Sequence, residues 1–557
     1  MCNKKGDRGC WVKFPDREFN VKTDYEDFVP EGEERTYNLR LSQMPLTLDG
    51  TIKPEAKVFN EVFPGPLIEA CWGDTLVVNV KNDLPRNGTT IHWHGIRMLD
   101  ENHMDGVNGI TQCPISEGES MTYRFKLRQY GTSWYHSHYS SQYSDGVLGP
   151  LVIHGPSSDD DWEEELEPIV VTDWVHRSAF ELFHTELEGG APPKADSILV
   201  NGVGRFNNAG DYYKQKFEPG KKYLIRIING STGLHFHWSL DNHIIKVIAA
   251  DFVPIKPYTT TSLSMGIGQR YTVIIEAKPT TSSTDGKYWM RTESQRTGIV
   301  SYSNATGTDD PSTTRHDAPV ACLDETPKHT PIVEWTVSPP QNDFREHTFE
   351  AGLDNKNKNV WRHAVTRWSL TDTPMWLDFS NPTLMNLKNT SWNPEYGVVH
   401  YNQTNGDEFV YMVITYGNQR TSPLQKSGVT PHPIHLHGHD FAIIGQSNTA
   451  YDPEVSPKLF NLANPPRRDV VMLPRNGYLA IAFKPDNPGA WVLHCHISWH
   501  AGSGLALQVL ERQSEIEERL GAGTFDKMKK QCDSWNSWLE KNPHKFNPVI
   551  DQEDSGI

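Results

Sequence analysis

Four His-x-His pairs, His92/His94, His136/His138, His435/His437 and His494/His496, fall in two stretches of the sequence that repeat each other. Thr90-Ile91-His92-Trp93-His94-Gly95 parallels Pro433-Ile434-His435-Leu436-His437-Gly438. Downstream, Phe125, Gly131, His136 and His138 keep the spacings of Phe483, Gly489, His494 and His496. Side chains at i and i+2 share one face of a strand, so each pair read as a strand presents two imidazoles to one point. The stretch between the two copies has a similar strand rhythm, from Gln269-Arg270-Tyr271 to Tyr288-Trp289-Met290-Arg291, without the paired histidines in register. The simplest account is three copies of one β-domain, with the chemistry kept in the outer two.

The rest of the chain agrees. Short Val, Ile, Tyr and Phe runs, such as Thr75 to Val80, Tyr223 to Ile228, Tyr271 to Glu276 and Tyr478 to Phe483, alternate with turn clusters fed by 42 Gly and 38 Pro. This pattern predicts an all-β protein of consecutive sandwiches or barrels. One helix is expected from about Ser514 to Leu539. An acidic run, Ser157 to Glu167, and a Ser/Thr/Pro/Asp-rich stretch around Ala305 to Pro340 read as solvated linkers. They divide the 557 residues into 1–157, 158–335 and 336–557. No run of 18 apolar residues occurs, which argues against a membrane span. A net charge of −17 without a basic stripe argues against nucleic acid as a partner.

Converging imidazoles in such number suit a transition metal. A lone pair of this kind is more often a satisfied structural element, and His235/His237, in the middle segment without the flanking pattern, is read as structural. The fourth pair encloses a cysteine, His494-Cys495-His496. By strand alternation Cys495 points away from its neighbours and serves a second site. His432 and His500 are the candidate partners there. One thiolate and two imidazoles form the blue-copper set, with Leu505, which cannot coordinate, at the axial position. Lack of an axial sulfur favours Cu(I) and a higher reduction potential. Structural zinc usually brings Cys-x-x-Cys, which this chain lacks. An electron taken in at Cys495 would reach His494 or His496 over a covalent path on the order of 10 Å.

His-Trp-His-Gly, Trp134-Tyr135-His136-Ser137-His138, His432-Pro433-Ile434-His435-Leu436-His437 and His494-Cys495-His496-Ile497-Ser498-Trp499-His500 resemble the four motifs of the multicopper oxidases. The likeness is nearest to the ascomycete laccases, whose processed tail the ending Asp554-Ser555-Gly556-Ile557 resembles. It implies three consecutive cupredoxin-like Greek-key domains and four copper ions. The type 1 copper would take His432, Cys495 and His500, and the type 2 copper His92 and His435. One type 3 copper would take His94, His136 and His496, the other His138, His437 and His494. The implied reaction removes single electrons from small aromatic reductants, phenols and aromatic amines, and returns four to dioxygen as water. Lignin breakdown is among the roles the likeness suggests. It also makes Asp105 the acidic residue behind the type 2 copper, against its plain reading as a turn Asp before Gly106. Asp554 and the terminal carboxylate of Ile557 are implied either to supply protons or to plug a tunnel. In one respect the sequence departs from the family: the carboxylate expected near the type 1 pocket falls at Gly233. The substrate-proton acceptor is then absent or supplied from elsewhere, with His235 a candidate. The rival readings are a ferroxidase-like metallo-oxidase and a non-catalytic, copper-binding cupredoxin array. Ascorbate and bilirubin oxidases usually keep Met where Leu505 stands.

Seven cysteines and five Asn-x-Ser/Thr sequons, at Asn87, Asn229, Asn304, Asn389 and Asn402, point to a secreted, extracellular, glycosylated protein, expected as a monomer. Met1-Cys2 opens with no apolar leader, which reads as a mature chain. Cys2 and Cys10 are close enough for a local staple. Cys113 and Cys532 resemble the family's bridge from the first domain to the C-terminal region. Cys71 and Cys322 remain as a third pair, and Cys495 is left as the copper thiolate.

Overall fold

Thr75–Asn82 alternates buried and half-buried residues along its whole length, the period-2 pattern of a strand with one face in a core. The other stretches read as strands are strands too, at Lys222–Asn229, Arg270–Glu276 and Tyr478–Phe483, but these are buried along nearly their whole length. The computed structural model describes residues 2–292, 295–306, 310–314, 324, 326–340, 347–354, 367–402, 408–416, 430–544 and 554–557.

The strands pair into three successive two-sheet units, so the fold is all-β as expected. In the first unit, Ile52–Phe59, Glu34–Thr47, Thr75–Asn82 and Ser120–Lys126 form one sheet in that order, and Ile68–Cys71, Leu148–His154, Gly131–Ser137 and Ile91–Trp93 the other. Trp93 bridges the two, with ring centroids 5.5 Å from Tyr123 and 5.2 Å from Phe125. The second unit has sheets of nine and five strands around Ile227, Trp238, Val273 and Met290. The third has sheets of six and five, and its core is continuous with that of the first.

Register carries the repeat into space. In the first unit Ile91 pairs with Ser137 and His92 with His136. In the third, Ile434 pairs with Cys495 and His435 with His494. Ser137 therefore occupies the slot that Cys495 holds in the other copy.

Three expectations change. The C-terminal helix is two, Gln513–Leu520 and Ala522–Lys541, because Gly521 between them sits at φ 75°, a left-handed conformation that ends a helix turn. The acidic run is no free linker: Glu164–Glu165 pairs with the strand Lys222–Asn229, and Asp159, Asp161 and Glu165 engage Lys246, Lys222 and Arg226. Alternating charge across that edge pins it down. Asn229 is fully buried, and its amide donates to the carbonyls of Leu234 and Met265, so this sequon has no room for a glycan.

Cys2 is bonded to Cys10, and Cys113 to Cys532, which fastens the second C-terminal helix to the first unit. Cys322 lies outside the described residues, and with it the expected pair with Cys71. Among the described residues no helix is long and apolar enough to cross a membrane.

Candidate metal centre

The strand Gly489–Cys495 and the residue after it present alternate side chains to two sites. On one face, Cys495 Sγ lies 3.5 Å from His432 Nδ1 and 3.7 Å from His500 Nδ1, and the two nitrogens are 3.1 Å apart. His432 opens the neighbouring strand His432–Leu436, and His500 stands on the short helix Ser498–Gly502. Leu505 is fully buried in the apolar cluster that holds Cys495. Its carbonyl takes the Cys495 N–H at 3.0 Å, and its own N–H goes to His500 O. Trp368 covers both imidazoles, at 5.0 Å from His432 and 4.5 Å from His500.

On the other face, His494 and His496 join the six remaining paired histidines. His437 Nε2 and His494 Nε2 are 3.3 Å apart, as are His94 Nδ1 and His496 Nε2. His92 stacks on His437 at 3.8 Å and His94 on His435 at 4.0 Å. Donor atoms of His92, His94 and His136 lie within 4.8 Å of one another; so do those of His138, His437 and His494, and of His92, His435 and His437. Burial holds His94, His136, His138, His435, His437 and His496 well below the usual imidazole range. It brings His494 down to about 4. They are therefore neutral, with lone pairs available.

Those lone pairs have nothing to accept from. His92 Nε2, His136 Nε2, His138 Nδ1, His435 Nε2 and His496 Nδ1 are buried without a hydrogen-bond partner among the described residues. Buried polar atoms are normally paired, and so many bare imidazole nitrogens around one point fit a group of soft-to-borderline cations. The thiol, two imidazoles and a non-coordinating leucine fit a trigonal copper. Burial alone pushes the Cys495 thiol up; a bound cation reverses that by stabilising the thiolate.

Two carboxylates orient this cluster. Asp105, the turn residue, accepts from His437 Nδ1 at 2.8 Å, and its other oxygen is 3.2 Å from His92 Nδ1, which also faces its carbonyl at 2.8 Å. Burial raises its carboxyl above the ordinary range. The second carboxylate, Asp469, carries no motif in the sequence. Its Oδ1 is 3.3 Å from His94 Nε2, and its carbonyl is 2.7 Å from His435 Nδ1. Arg270, from the middle unit, grips it bidentately at 2.5 and 2.7 Å. The same turn brings Gly268 over the imidazoles; a Cβ there, at φ +86°, would meet His94 Cε1 at 2.9 Å. The middle unit therefore reaches the imidazole cluster through Arg270 and Gly268. Gln269-Arg270-Tyr271, noted in the sequence only for strand rhythm, was the available signal.

A cavity bordered by His136, His138, His494 and His496 also has Ile557 in its lining. The tail is anchored there: Asn108 donates to Gly556 O at 2.6 Å, Ser555 N–H to Gly502 O, and Ser140 Oγ to Asp554. Near the thiolate site, Gly233 offers no side chain. A Cβ would sit 3.3 Å from Trp499 Nε1 and 3.5 Å from Asp173 Oδ2. His235 bonds Pro431 O, while His237 lies in the strand Phe236–Leu240 with no part in the cluster.

Family models described as multicopper oxidase match residues 40–158, 165–309 and 369–515, in keeping with three cupredoxin-like domains. A laccase of Arthroderma benhamiae is 42% identical, with 100% of this chain and 90% of that protein covered. A dihydrogeodin oxidase of Aspergillus terreus is 39% identical over 100% of this chain and 95% of its own. The crystal structure of the laccase from Botrytis aclada superposes with a TM-score of 0.88 at 38% identity, covering 100% of both chains. Fet3p, a multicopper oxidase that functions in iron import, shares the fold with a TM-score of 0.76 at 24% identity, over 90% of this chain and 95% of its own.

Proposed function

The chain belongs to the multicopper oxidase family as a laccase-type oxidase, and from that premise we propose that it oxidises phenols and aromatic amines one electron at a time at His432, Cys495 and His500. The observation that carries this reading is the alternation through a single strand: the Cys495 thiol faces two imidazoles at 3.5 and 3.7 Å, while its neighbours face the eight-imidazole cluster. His92 and His435 would hold the type 2 copper, His94, His136 and His496 one type 3 copper, and His138, His437 and His494 the other. Copper bound in these sets supplies the one-electron chemistry and the four-electron reduction of dioxygen to water.

The protein's own contribution is positional. Cys495 and its two neighbours are consecutive residues, so the path between sites is covalent and fixed, on the order of 10 Å. Asp105 holds His92 and His437 by their Nδ1 atoms, so that Nε2 of each turns inward, and it places a carboxyl able to take or give a proton beside the cluster. Ile557, on a tail that Asp554 ties to Ser140, would close the cavity beside His138 and His494 and limit water there. In this reading the domains divide as 1–157, 158–335 and 336–557, and the chain is a secreted monomer glycosylated at exposed sequons such as Asn304.

Oxygen uptake by the copper-loaded protein, measured across phenols, aromatic amines and Fe(II), tests the proposal. Sustained uptake with phenols and amines is expected. No uptake with any aromatic substrate in a fully loaded sample overturns it.

A further inference from the structure

The loop 231–235 carries the one departure of this chain from its family's pattern, and it lies beside the thiolate site: Ser498 N–H donates to Thr232 O at 2.9 Å. Where a substrate-side carboxylate is expected there is Gly233. The nearest carboxylate, Asp173, cannot replace it. Its Oδ1 accepts from Thr232 N and Oγ at 2.7 and 2.8 Å, and its Oδ2 from Gly233 N and Leu234 N at 2.8 and 3.1 Å. Four donors use the roughly four lone-pair sites of a carboxylate, and Asp173 is buried.

His235 is arranged differently. Its Nε2 lies 3.1 Å from Pro431 O. A carbonyl only accepts, so Nε2 bears the hydrogen and Nδ1 keeps a bare lone pair. That Nδ1 is buried and has no partner among the described residues, a costly state unless something donates to it. Pro431 immediately precedes His432; burial is what chiefly lowers His432 and His500, and the His235 imidazole is near enough to add to it at both. The titratable groups around it are His432, His500, His237 and Asp324. Gly233, two residues before His235, presents no side chain toward the Trp499 indole, where a Cβ would stand 3.3 Å from Nε1.

We infer that His235, through Nδ1, is the catalytic proton acceptor for hydroxyl-bearing aromatic substrates, in place of the carboxylate that Gly233 lacks. This rests on the laccase reading above. In the step the substrate O–H bond breaks, the proton goes to Nδ1 to give the imidazolium, and one electron leaves for the Cys495 site. The substrate departs as a neutral phenoxyl radical, and the imidazolium returns its proton to solvent before the next turnover. Burial brings His235 to about 4, the range of the carboxylate it replaces; an aryl cation radical is acidic enough for either base.

The experiment compares His235→Asn with the parent enzyme, both copper-loaded, on 2,6-dimethoxyphenol and on ferrocyanide, a reductant with no proton to lose. The phenol-to-ferrocyanide ratio of kcat/KM is expected to fall about 100-fold. Adding Gly233→Glu is expected to restore it once the Trp499 indole, 3.3 Å from the added Cβ, yields by a few tenths of an ångström. Binding of 4-nitrophenol and of nitrobenzene to the anaerobic, reduced enzyme gives a second readout. Loss of affinity for the phenol alone supports the inference, and equal loss for both overturns it. An unchanged ratio in His235→Asn, or a fall that Gly233→Glu leaves untouched, also overturns it. If the parent oxidises ferrocyanide but no phenol, the laccase reading fails instead. Should His235→Asn not fold, His235→Gln, which also keeps an N–H for Pro431 O, is read by the same phenol-to-ferrocyanide ratio, and an unchanged ratio overturns the inference.

Discussion

Arg270→Met strikes the contact between the middle unit and the imidazole cluster. Arg270 is 0% and Asp469 1% exposed, so water does not screen the pair. The substitution deletes both bonds to Asp469, at 2.5 and 2.7 Å, and the donors to Thr132 O and Gly268 O. Removing one partner of a buried pair costs about 3–5 kcal/mol, because the other charge is stranded. Arg270→Met/Asp469→Asn takes that charge away as well, and the coupling of the two sites should return about 1–3 kcal/mol. Urea denaturation of the three proteins, followed by tryptophan fluorescence, reads these differences. The same variant should hold copper less well, by about 10–100-fold, since Asp469 orients His94 and His435; dialysis against a graded chelator series measures it. A single variant within about 1 kcal/mol of the parent, or one with undiminished copper retention, would refute the view that this pair fastens the metal centre.

Three further outcomes are expected. Cys495→Ser should abolish the intense blue absorption while the type 2 electron paramagnetic resonance signal persists; survival of the colour would refute the thiolate assignment. Glu186, buried on the helix Ala179–Leu187, has its carboxyl raised to about 8 by burial, so the fold favours its protonated form. That contribution is complete below about 4.5 and is lost as pH rises through about 8. Glu186→Gln should therefore gain stability over the parent progressively across that window, and pH-dependent unfolding with parallel curves would contradict the assignment. Opening Cys113–Cys532, which joins residues 419 apart in sequence, by the paired Ser substitutions should cost about 2–4 kcal/mol, read as a lowered thermal midpoint.

The meeting of the paired histidines was legible because its signals are local. A His-x-His pair states its geometry within three residues, and strand alternation alone put Cys495 on the far side from His494 and His496. The repeat then fixed which strands had to meet. Asp469 was illegible for the opposite reason: its partners His94 and Arg270 lie 375 and 199 residues away, and an Asp after two arginines looks like any charged turn. His235 was legible only as a candidate acceptor, since the contact that orients its ring, Pro431 O, is contributed by another unit. The acidic run misled because opposite charges sit across a sheet edge that composition cannot display. The C-terminal helix was placed correctly in extent but not in continuity, because helical periodicity persists across Gly521 while the backbone there does not.

The slot shared by Ser137 and Cys495 gives the cluster a polarity. Both copies carry a residue between two imidazole-bearing neighbours, pointing away from the cluster. In one copy it is a polarisable sulfur facing two more imidazoles. In the other it is a hydroxyl donating to Gln142 Oε1 at 2.8 Å, an amide that neither gives nor takes electrons. Two structurally equivalent terminals therefore lead out of the centre, and one is insulated. On the electron route proposed above, charge would enter through the third unit alone, because the equivalent position of the first offers a hydroxyl held by Gln142 where the third offers a thiol.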